Sequence, residues 1–290
     1  MKSCVSTYSY YRLYAEGNFT RFDAINKTKE LGCEGVELVL DDVTPDGSTP
    51  REHALALTAH AKEIGIEVPI YTTGANFFLP DPEREVERIC KHIDIASECG
   101  IPLLRHDVTY SYYEGYEGVK SYKHIIEKVA PYISKVATYA KSKNVTTCSE
   151  NHGRLMQDSE RMLELFTAVD NTNYGFLCDI GNFGGVDEDC SIAVSRLLEL
   201  IVHVHAKDCF TRSGMSYNPG RGFNRSRGGN YRRATIFGHG DVPSFQILAA
   251  IKNSGYNGYV SLEFEGMESV MDGISIGTEN LQRMIRDLEA

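Results

Sequence analysis

Apolar residues along the chain follow two alternating patterns, short continuous runs and longer stretches with a helical period. The short runs predict β-strands at residues 4–8, 35–40, 67–72, 102–107, 145–150, 174–178, 201–206 and 259–264. The longer stretches predict helices at residues 21–31, 51–64, 82–98, 119–142, 158–168, 190–199, 243–253 and 273–288. Strands and helices alternate and number eight each, so the pattern predicts a single-domain α/β fold, the closed (β/α)8 TIM barrel.

Glycines mark the ends of four predicted helices. Gly32, Gly65, Gly100 and Gly255 each follow a helical stretch, where a residue with a positive φ angle ends a helix at little cost. The segments LGCEGVEL, IGIEVPIY, CGIPLLRH and SGYNGYVSLEFE then repeat one order of helix end, glycine and buried strand. An open doubly wound sheet is the alternative, but the G-x-G-x-x-G motif that often follows its first strand is absent. We therefore expect the barrel.

Residues 209–235 interrupt this regular order between the seventh strand and the helix that follows it. This Gly/Arg-rich insert is longer than most connections in a compact domain, and loops of such length are usually functional or disordered. Its arginines are Arg212, Arg221, Arg225, Arg227, Arg232 and Arg233. Three roles stay open for the insert: an anion-binding lid over the barrel mouth, a contact with a neighbouring subunit of a homo-oligomer, or a mobile solvated loop.

Composition narrows the class of protein. The 290 residues, 42% of them hydrophobic and 24% charged, match one soluble barrel domain spanning 1–290. No apolar run is long enough for a membrane span, and the first residues lack the apolar centre of a secretory signal, so we expect a cytoplasmic protein. Eight cysteines are scattered without a C-x-x-C pair, which favours reduced thiols. A net charge of −10 disfavours binding to nucleic acid.

Polar residues end the last four predicted strands. Functional side chains of an α/β barrel lie at the C-terminal ends of its strands, where the loops form the barrel mouth. The segments VTTCSE, YGFLCD, VHVHAKD and YVSLEFE place there Glu150, Asp179, His205 and Glu263. One such residue alone is usually a surface or structural group, but four in successive strands are expected to converge. Closely packed carboxylates repel one another unless a cation neutralises them, so the four residues predict a divalent-metal site.

The donor set also limits which metal is expected. Three carboxylates and one imidazole suit Mn²⁺ best, with Mg²⁺, Co²⁺ or Zn²⁺ as alternatives, because oxygen ligands dominate and no thiolate is placed to contribute. His203 shares the strand face of His205 but lies deeper in the barrel. We therefore expect His203 to support the site and the other four residues to hold a single metal ion.

The order of several motifs resembles the sugar phosphate isomerase/epimerase superfamily of xylose isomerase-like TIM barrels, the AP endonuclease family 2 type. The segments that carry the resemblance are LGCEGVEL, SENHG, CDIGN, HVHAKD and GHGDVPSFQILAAIKNSGYNGYVSLEFEG. Each is weak alone, but their order and spacing through most of the chain are specific. The resemblance implies one divalent metal bound by Glu150, Asp179, His205 and Glu263, the residues that the strand ends also indicate.

The resemblance further implies a reaction. In the superfamily's isomerases and epimerases the metal binds a keto-sugar, and two glutamates exchange a proton at the carbon beside the carbonyl. Glu150 and Glu263 match these catalytic glutamates, so the chain resembles a sugar isomerase or epimerase whose substrate is a small molecule. Polar residues near the strand ends complete the predicted substrate site: His152, His106, Glu37, Asn182 and Lys207.

Two positions differ from the superfamily's free-ketose 3-epimerases, in which a His follows the metal-binding Asp by three residues and an Arg follows the metal-binding His by six. This chain has Asn182 and Thr211 there, which weakens the resemblance to enzymes of free ketoses. The Gly/Arg-rich insert and the segment GNYRRATIFGHGDVP resemble family members that act on keto-glycosides, by epimerisation or by elimination of the aglycone, so the resemblance implies a substrate such as a 3-keto-glycoside. A lyase or dehydratase on the same scaffold, C-glycoside-cleaving or acting on an inosose, is the main alternative. A non-catalytic sugar-binding barrel is another. The acidic charge and only nine histidines disfavour a related AP endonuclease with several zinc ions.

Overall fold

Eight parallel strands form a closed barrel in the computed structural model, which describes residues 1–290. In chain order they are β1 (Lys2–Ser6), β2 (Gly35–Val39), β3 (Ile70–Thr73), β4 (Leu103–His106), β5 (Thr146–Glu150), β6 (Tyr174–Asp179), β7 (Ile201–Ala206) and β11 (Tyr259–Leu262). Each strand pairs with the one before it in this list, and β11 pairs with β1 to close the ring. The predicted (β/α)8 barrel is therefore confirmed.

Helices lie between the strands at the predicted places. They are α1 (Tyr11–Ala15), α2 (Arg21–Glu30), α3 (Pro50–Glu63), α4 (Pro82–Glu98), α5 (Tyr122–Ser142), α6 (Ser159–Val169), α7 (Cys190–Leu197), α8 (Ser244–Asn253) and α9 (Val270–Glu289). The φ angles of the four glycines predicted to end helices are all positive, between 71° and 97°. Only the short helix α1 has no counterpart among the predicted helices. No helix is both long and apolar enough to cross a lipid bilayer.

A core cluster of 62 buried residues joins the strands to the apolar faces of the surrounding helices. In α9, for example, Val270, Ile274, Leu281 and Ile285 recur at helical spacing and are buried. Burial of this much apolar surface is the main stabilising contribution to such a fold. The packed core makes the barrel a rigid support for the side chains at its mouth.

The first strand begins and ends two residues before the predicted run 4–8, and a 3-10 helix follows it at Thr7–Tyr10. The hydroxyl of Thr7 accepts a hydrogen bond from the backbone N–H of Val39. The hydroxyl of Ser9 donates to the carbonyl of Leu262 and accepts from the N–H of Phe264. These two side chains form hydrogen bonds with backbone groups at the ends of β2 and β11. The chain therefore turns here instead of continuing as a strand.

The insert after β7 contains a small antiparallel sheet, which differs from the unstructured loop expected at 209–235. This insert sheet consists of β8 (Asp208–Arg212), β9 (Asn224–Arg225) and β10 (Tyr231–Thr235), with β10 in the middle. Asp187, at the end of a 3-10 helix after β6, accepts hydrogen bonds from the side chains of Ser226 and Asn230. The sheet is therefore attached to the barrel mouth next to the end of β6.

Candidate active site

Four side chains converge at the barrel mouth. Glu150 ends β5, Asp179 ends β6, His205 lies near the end of β7, and Glu263 directly follows β11. One donor atom of each residue lies within 4.8 Å of the others. The first three side chains are buried, and that of Glu263 is 10% exposed. The structure thus brings together the four residues that the strand ends indicate, because neighbouring parallel strands end at the same edge.

The turn after β6 orients Asp179. Its Oδ1 accepts hydrogen bonds from the backbone N–H groups of Gly181 at 2.8 Å and Asn182 at 3.0 Å. Gly181 is required here, since a Cβ atom would lie 2.7 Å from the carbonyl oxygen of Lys207. Asn151 links β5 to β6 by exchanging two hydrogen bonds of 2.9 Å with the backbone of Asp179. Oδ2 of Asp179 is buried and accepts no hydrogen bond, so it is available to a cation.

Glu37 orients the imidazole of His205. Nε2 of His205 lies 2.8 Å from Oε2 of Glu37, whose Oε1 accepts a hydrogen bond of 2.9 Å from Thr72. We therefore assign the ring proton to Nε2 of His205. Nδ1 is buried without a hydrogen-bond partner and faces Glu150 and Glu263 at 3.8 and 3.7 Å. A carboxylate on the second ring nitrogen is the usual support of a metal-binding histidine.

Arg105 and Asn182 hold Glu150 from two sides. Nη2 of Arg105 donates to Oε2 of Glu150 at 2.6 Å, and Nδ2 of Asn182 donates to Oε1 at 3.0 Å. The same guanidinium donates to both carboxylate oxygens of Asp107, at 3.0 and 2.7 Å. Although burial opposes it, the charges of Asp107 and Glu150 raise the pKa of Arg105, so this buried side chain stays a cation. The carboxylate of Glu150 therefore has a fixed position.

Lys207 brings a second positive charge to the site. Its Nζ lies 2.8 Å from Glu263, 2.9 Å from Glu265 and 3.4 Å from Oδ2 of Asp179. Although burial opposes it, these carboxylates raise the pKa of Lys207 well above its usual value. Burial likewise opposes ionisation of Glu263, but the charge of Lys207 outweighs it and holds the pKa of Glu263 well below its usual range. Glu263 is therefore a buried, ionised carboxylate.

The four converging residues fit a divalent metal ion. Oδ2 of Asp179 and Nδ1 of His205 are buried without hydrogen-bond partners, which is rare for polar atoms of native proteins. Burial and the charges of Glu263 and Glu150 raise the pKa of Asp179 to about 7, against the opposing charge of Lys207. Both atoms could bind a cation as ligands, and its charge would offset the mutual repulsion of the carboxylates. The charge and the donor atoms of the site therefore match such an ion.

Glu37→Gln is expected to weaken metal binding about 10- to 100-fold, because the support of a metal-binding histidine has this magnitude. The amide keeps the size of the side chain but loses the negative charge that orients Nε2 of His205. Competition with a fluorescent chelator measures the metal Kd. Glu63→Gln, at an exposed position of α3, serves as the control of equal charge change. An unchanged metal Kd in Glu37→Gln would show that this contact does not support the site.

Two of the five predicted substrate residues line a cavity at the barrel mouth, and a third lines the cavity next to it. His152, with Nδ1 3.0 Å from Asp107, and Lys207 both line the mouth cavity of about 210 Å³, together with Glu150, His205 and Glu263. Asn182 lines an adjoining cavity and reaches Glu150 through its amide. These positions agree with a role beside the substrate, which stays a prediction.

The structure does not place Glu37 and His106 at the mouth cavity. Glu37 is fully buried below His205, and its two oxygens are occupied by Thr72 and His205. His106 faces the opposite side of β4 from Arg105, because successive strand residues point to opposite faces. It packs against Phe77 and burial lowers its pKa to about 4, so it is a neutral core residue. The prediction that these two side chains contact the substrate directly is therefore wrong.

Several side chains of the mouth cavity were not predicted as site residues. They are Tyr8, Asp41, Arg105, Asp107, Tyr110 and Glu265. Arg105 and Asp107 point to the same side of the chain in LLRHD, because they are two residues apart in an extended segment, but the sequence does not show that this side faces the mouth. Tyr8, Asp41 and Tyr110 lie beyond strand ends, and no pattern in the sequence shows which way such connections turn.

The comparisons with known proteins agree with this architecture. Residues 25–287 match the model of a family described as xylose isomerase-like TIM barrel. The chain belongs to this family. The match extends over most of the barrel, from α2 to α9, and includes all four converging residues. The resemblance drawn from the motifs is therefore confirmed, and the superfamily includes sugar epimerases. A search of curated proteins finds no match.

Solved structures of this superfamily share the fold at low sequence identity. An L-ribulose 3-epimerase superposes with a TM-score of 0.74 and 13% identity, covering 99% of this chain and 95% of that chain. The probable 3-DHS dehydratase AsbF of Bacillus anthracis gives 0.73 and 17%, covering 97% and 99%. A xylose isomerase-like TIM barrel protein of Mycobacterium smegmatis in complex with magnesium gives 0.70 and 13%, covering 93% and 90%. Likeness at this identity establishes the barrel fold and no particular reaction.

Proposed function

We propose that the protein is a divalent-metal-dependent isomerase or epimerase of a keto-sugar. The observation that carries the proposal is the pair Glu150 and Glu263 beside the two unpartnered donor atoms at the barrel mouth. Fold neighbours that include sugar epimerases and a dehydratase support an enzyme of this superfamily. Proton transfer beside a carbonyl requires a base, an acid and positive charge near the carbonyl oxygen. The candidate site offers all three.

The ion would be held by Glu150, Asp179, His205 and Glu263. When bound, a divalent cation supplies the positive charge that stabilises the enediolate formed on deprotonation of the carbon beside a carbonyl. Three carboxylates and one imidazole favour Mn²⁺ or Mg²⁺ among the common ions. The magnesium complex of the Mycobacterium smegmatis protein is consistent with this choice.

Glu150 and Glu263 exchange the proton in this proposal. One carboxylate removes the proton from the carbon beside the carbonyl, and the other, once protonated, returns a proton. Return from the opposite face inverts the carbon and gives an epimer, whereas delivery to the neighbouring carbon interconverts a ketose and an aldose. The two glutamates exchange roles in the reverse reaction, so each must be able to hold a proton. Arg105 and Lys207 keep the two carboxylates in place.

The size of the mouth cavity suits a small substrate. Its volume of about 210 Å³ lies below the range of about 300–1,000 Å³ of most ligand pockets. Only three of its fifteen lining residues are hydrophobic, which matches a hydroxyl-rich ligand better than an apolar one. In this proposal His152, Lys207 and Glu265, which line the cavity, contact the sugar hydroxyls. We propose a monosaccharide unit, such as the sugar ring of a 3-keto-glycoside, in this cavity.

A lyase or dehydratase is the second candidate. It would use the same deprotonation, but the enediolate would expel a leaving group from the neighbouring carbon. The observation in its favour is the adjoining cavity of about 380 Å³, which shares His152, Lys207 and Glu265 with the mouth cavity and has room for such a group. The fold likeness to a probable dehydratase also fits this reaction.

Product analysis separates the two candidates. The metal-loaded protein is incubated with a panel of ketoses, ketose phosphates and 3-keto-glycosides, and the products are identified by NMR and mass spectrometry. The proposal predicts a product of unchanged mass with inverted configuration or a shifted carbonyl. Loss of water or of the aglycone from the substrate would instead show that the protein is a lyase or dehydratase. No conversion of any panel member, by a protein that binds metal, would favour a non-catalytic sugar-binding barrel.

A further inference from the structure

A second cavity lies between the insert sheet and the barrel mouth, with a volume of about 380 Å³. We name it the insert pocket, and the residues specific to it include Arg154, Gln157, Asn182, Asn224, Arg225 and Arg232. His152, Lys207 and Glu265 line both this pocket and the mouth cavity. A ligand that reacts between the glutamates can therefore extend into the insert pocket.

Five of the six arginines of the insert divide into two groups, and the sixth, Arg221, is exposed outside the insert pocket. Three of them form ion pairs, Arg212 with Asp241, Arg227 with Asp158 and Arg233 with Glu268. Arg225 and Arg232 lie within 4 Å of no carboxylate, nor does Arg154, and these are the three arginines that line the insert pocket. In a chain of net charge −10, which has ten more acidic than basic residues, three unpaired cations at one cavity are unusual.

Two carboxylates near the insert pocket are held by other partners. Glu265, the only acidic residue that lines the insert pocket, pairs with Lys207 at 2.9 Å. Asp187 accepts hydrogen bonds from the side chains of Ser226 and Asn230 and from the backbone of Gly228. Neither carboxylate therefore forms an ion pair with Arg154, Arg225 or Arg232.

Backbone contacts hold Arg232 in place without compensating its charge. Its Nη2 donates to the carbonyl of Gly181 at 2.8 Å, while its Nε is buried without a partner. The guanidinium lies against Gly184, where a Cβ atom would come within 2.8 Å of Cζ. Arg225 is fixed in turn by hydrogen bonds to Gly229 and to the hydroxyl of Tyr231. Both side chains are thus ordered for a ligand before it binds.

We propose that the insert pocket binds an oxyanion of the substrate, the phosphate of a sugar phosphate or the carboxylate of a sugar acid. Planar guanidinium groups recognise both anions through paired hydrogen bonds, and an anion would neutralise the three unpaired arginines. The anionic group lies on the part of the substrate remote from the reacting carbon. This inference rests on the proposed function for the reacting end of the molecule, but the binding of the anion is testable without turnover.

Calorimetric titration of the metal-loaded, full-length protein with inorganic phosphate tests the pocket directly. Arg225→Gln and Arg232→Gln should each weaken phosphate binding at least tenfold. Gly184→Ala should also weaken it without changing any charge, because the methyl group displaces the Arg232 guanidinium. Arg221→Gln, an exposed residue of the same insert outside the pocket, should bind phosphate as the wild type does. Equal binding by all variants, which would indicate phosphate on the metal alone, or no binding at all, overturns the proposal.

Matched substrates then separate phosphate from carboxylate and link the pocket to the reaction. Deuterium exchange is compared for a ketose, its terminal phosphate and a keto-sugar acid of the same length. The proposal predicts a lower KM for one anionic member, and Arg232→Gln should raise that KM at least tenfold more than it raises the KM of the neutral ketose. Equal effects on neutral and anionic sugars would contradict it. Arginine-dependent phosphate binding without exchange on any sugar would overturn the proposed reaction and leave the anion pocket in place.

Discussion

Glu150→Gln and Glu263→Gln are each expected to lower the rate of product formation by about 10²- to 10⁴-fold, the range that a positioned acid or base contributes. The amide keeps the shape of the side chain but accepts no proton from carbon. Because each glutamate is needed in one of the two half-reactions, both substitutions should lower kcat, and combining them should add little. NMR or stopped-flow rates of product formation measure the effect.

Glu150 and Glu263 are also proposed ligands of the metal ion. A control must therefore distinguish the loss of the acid or base from the loss of the bound metal. Metal content is measured on each variant, and rates are compared at metal concentrations that saturate it. Glu63→Gln, at an exposed position of α3, serves as the control of equal charge change. Product formation that persists at the wild-type rate in either Glu150→Gln or Glu263→Gln, with metal bound, would exclude that glutamate as the acid or base.

Metal removal is expected to have the second large effect, this time on stability. A ligand that binds only the folded state at 1,000 times its Kd stabilises a protein by about 4 kcal/mol. For a chain of this size roughly 2 °C of Tm accompanies each kcal/mol, so saturating Mn²⁺ or Mg²⁺ should raise the Tm by about 8 °C over the chelated protein. Differential scanning calorimetry or fluorimetry measures this shift.

Asp179→Asn should abolish the metal-dependent part of the Tm, because it removes one negative ligand. The amide also relieves the repulsion among the carboxylates, so the chelated variant should be at least as stable as the chelated wild type. Asp287→Asn, at an exposed position of α9, should retain the full metal-dependent shift. A Tm that does not respond to any divalent ion in the wild type would contradict a resident metal at this site.

The four converging residues were predictable because barrel geometry converts a one-dimensional pattern into a position in space. Each strand of a parallel barrel ends at the same face, so Glu150, Asp179, His205 and Glu263 had to meet once the strands were placed. The alternation of buried strands and amphipathic helices placed the strands without knowledge of any contact. Glycine at helix ends supplied independent boundaries, as the positive φ angles confirm.

Residues behind and beside the site were less predictable, because their roles depend on which face of a strand they occupy. His106 and Arg105 are neighbours in sequence, yet Arg105 reaches Glu150 while His106 packs in the core. In a fully buried strand the sequence shows no polar and apolar alternation that would assign the two faces. Glu37 was placed in the barrel correctly, but its partner His205 lies on a strand far away in the sequence, which a local pattern does not show.

The strands of the insert sheet were not predicted, because their composition conceals the alternation typical of a strand. In β10, the segment YRRAT places Arg232 and Arg233 on opposite faces, so charge appears on both sides of the strand and masks the period of two. Its pairing with β8 joins residues that are 19 to 27 positions apart in the sequence, through a connection rich in glycine. The sequence likewise does not show that Arg225 and Arg232 lack an ion-pair partner. Their charge is known from the composition, but their partners depend on where the carboxylates lie in the folded chain.

Deuterium uptake at the carbon beside the carbonyl tests the central claim most directly. The protein is incubated in D₂O with the sugar panel, once loaded with Mn²⁺ and once after chelation, and deuterium at each carbon is followed by NMR. The account predicts incorporation at that carbon in the metal-loaded sample, its loss on chelation and its return when the metal is restored. Exchange that is equally fast without metal, or its absence from every keto-sugar with stoichiometric metal bound, would contradict metal-dependent proton transfer at this site.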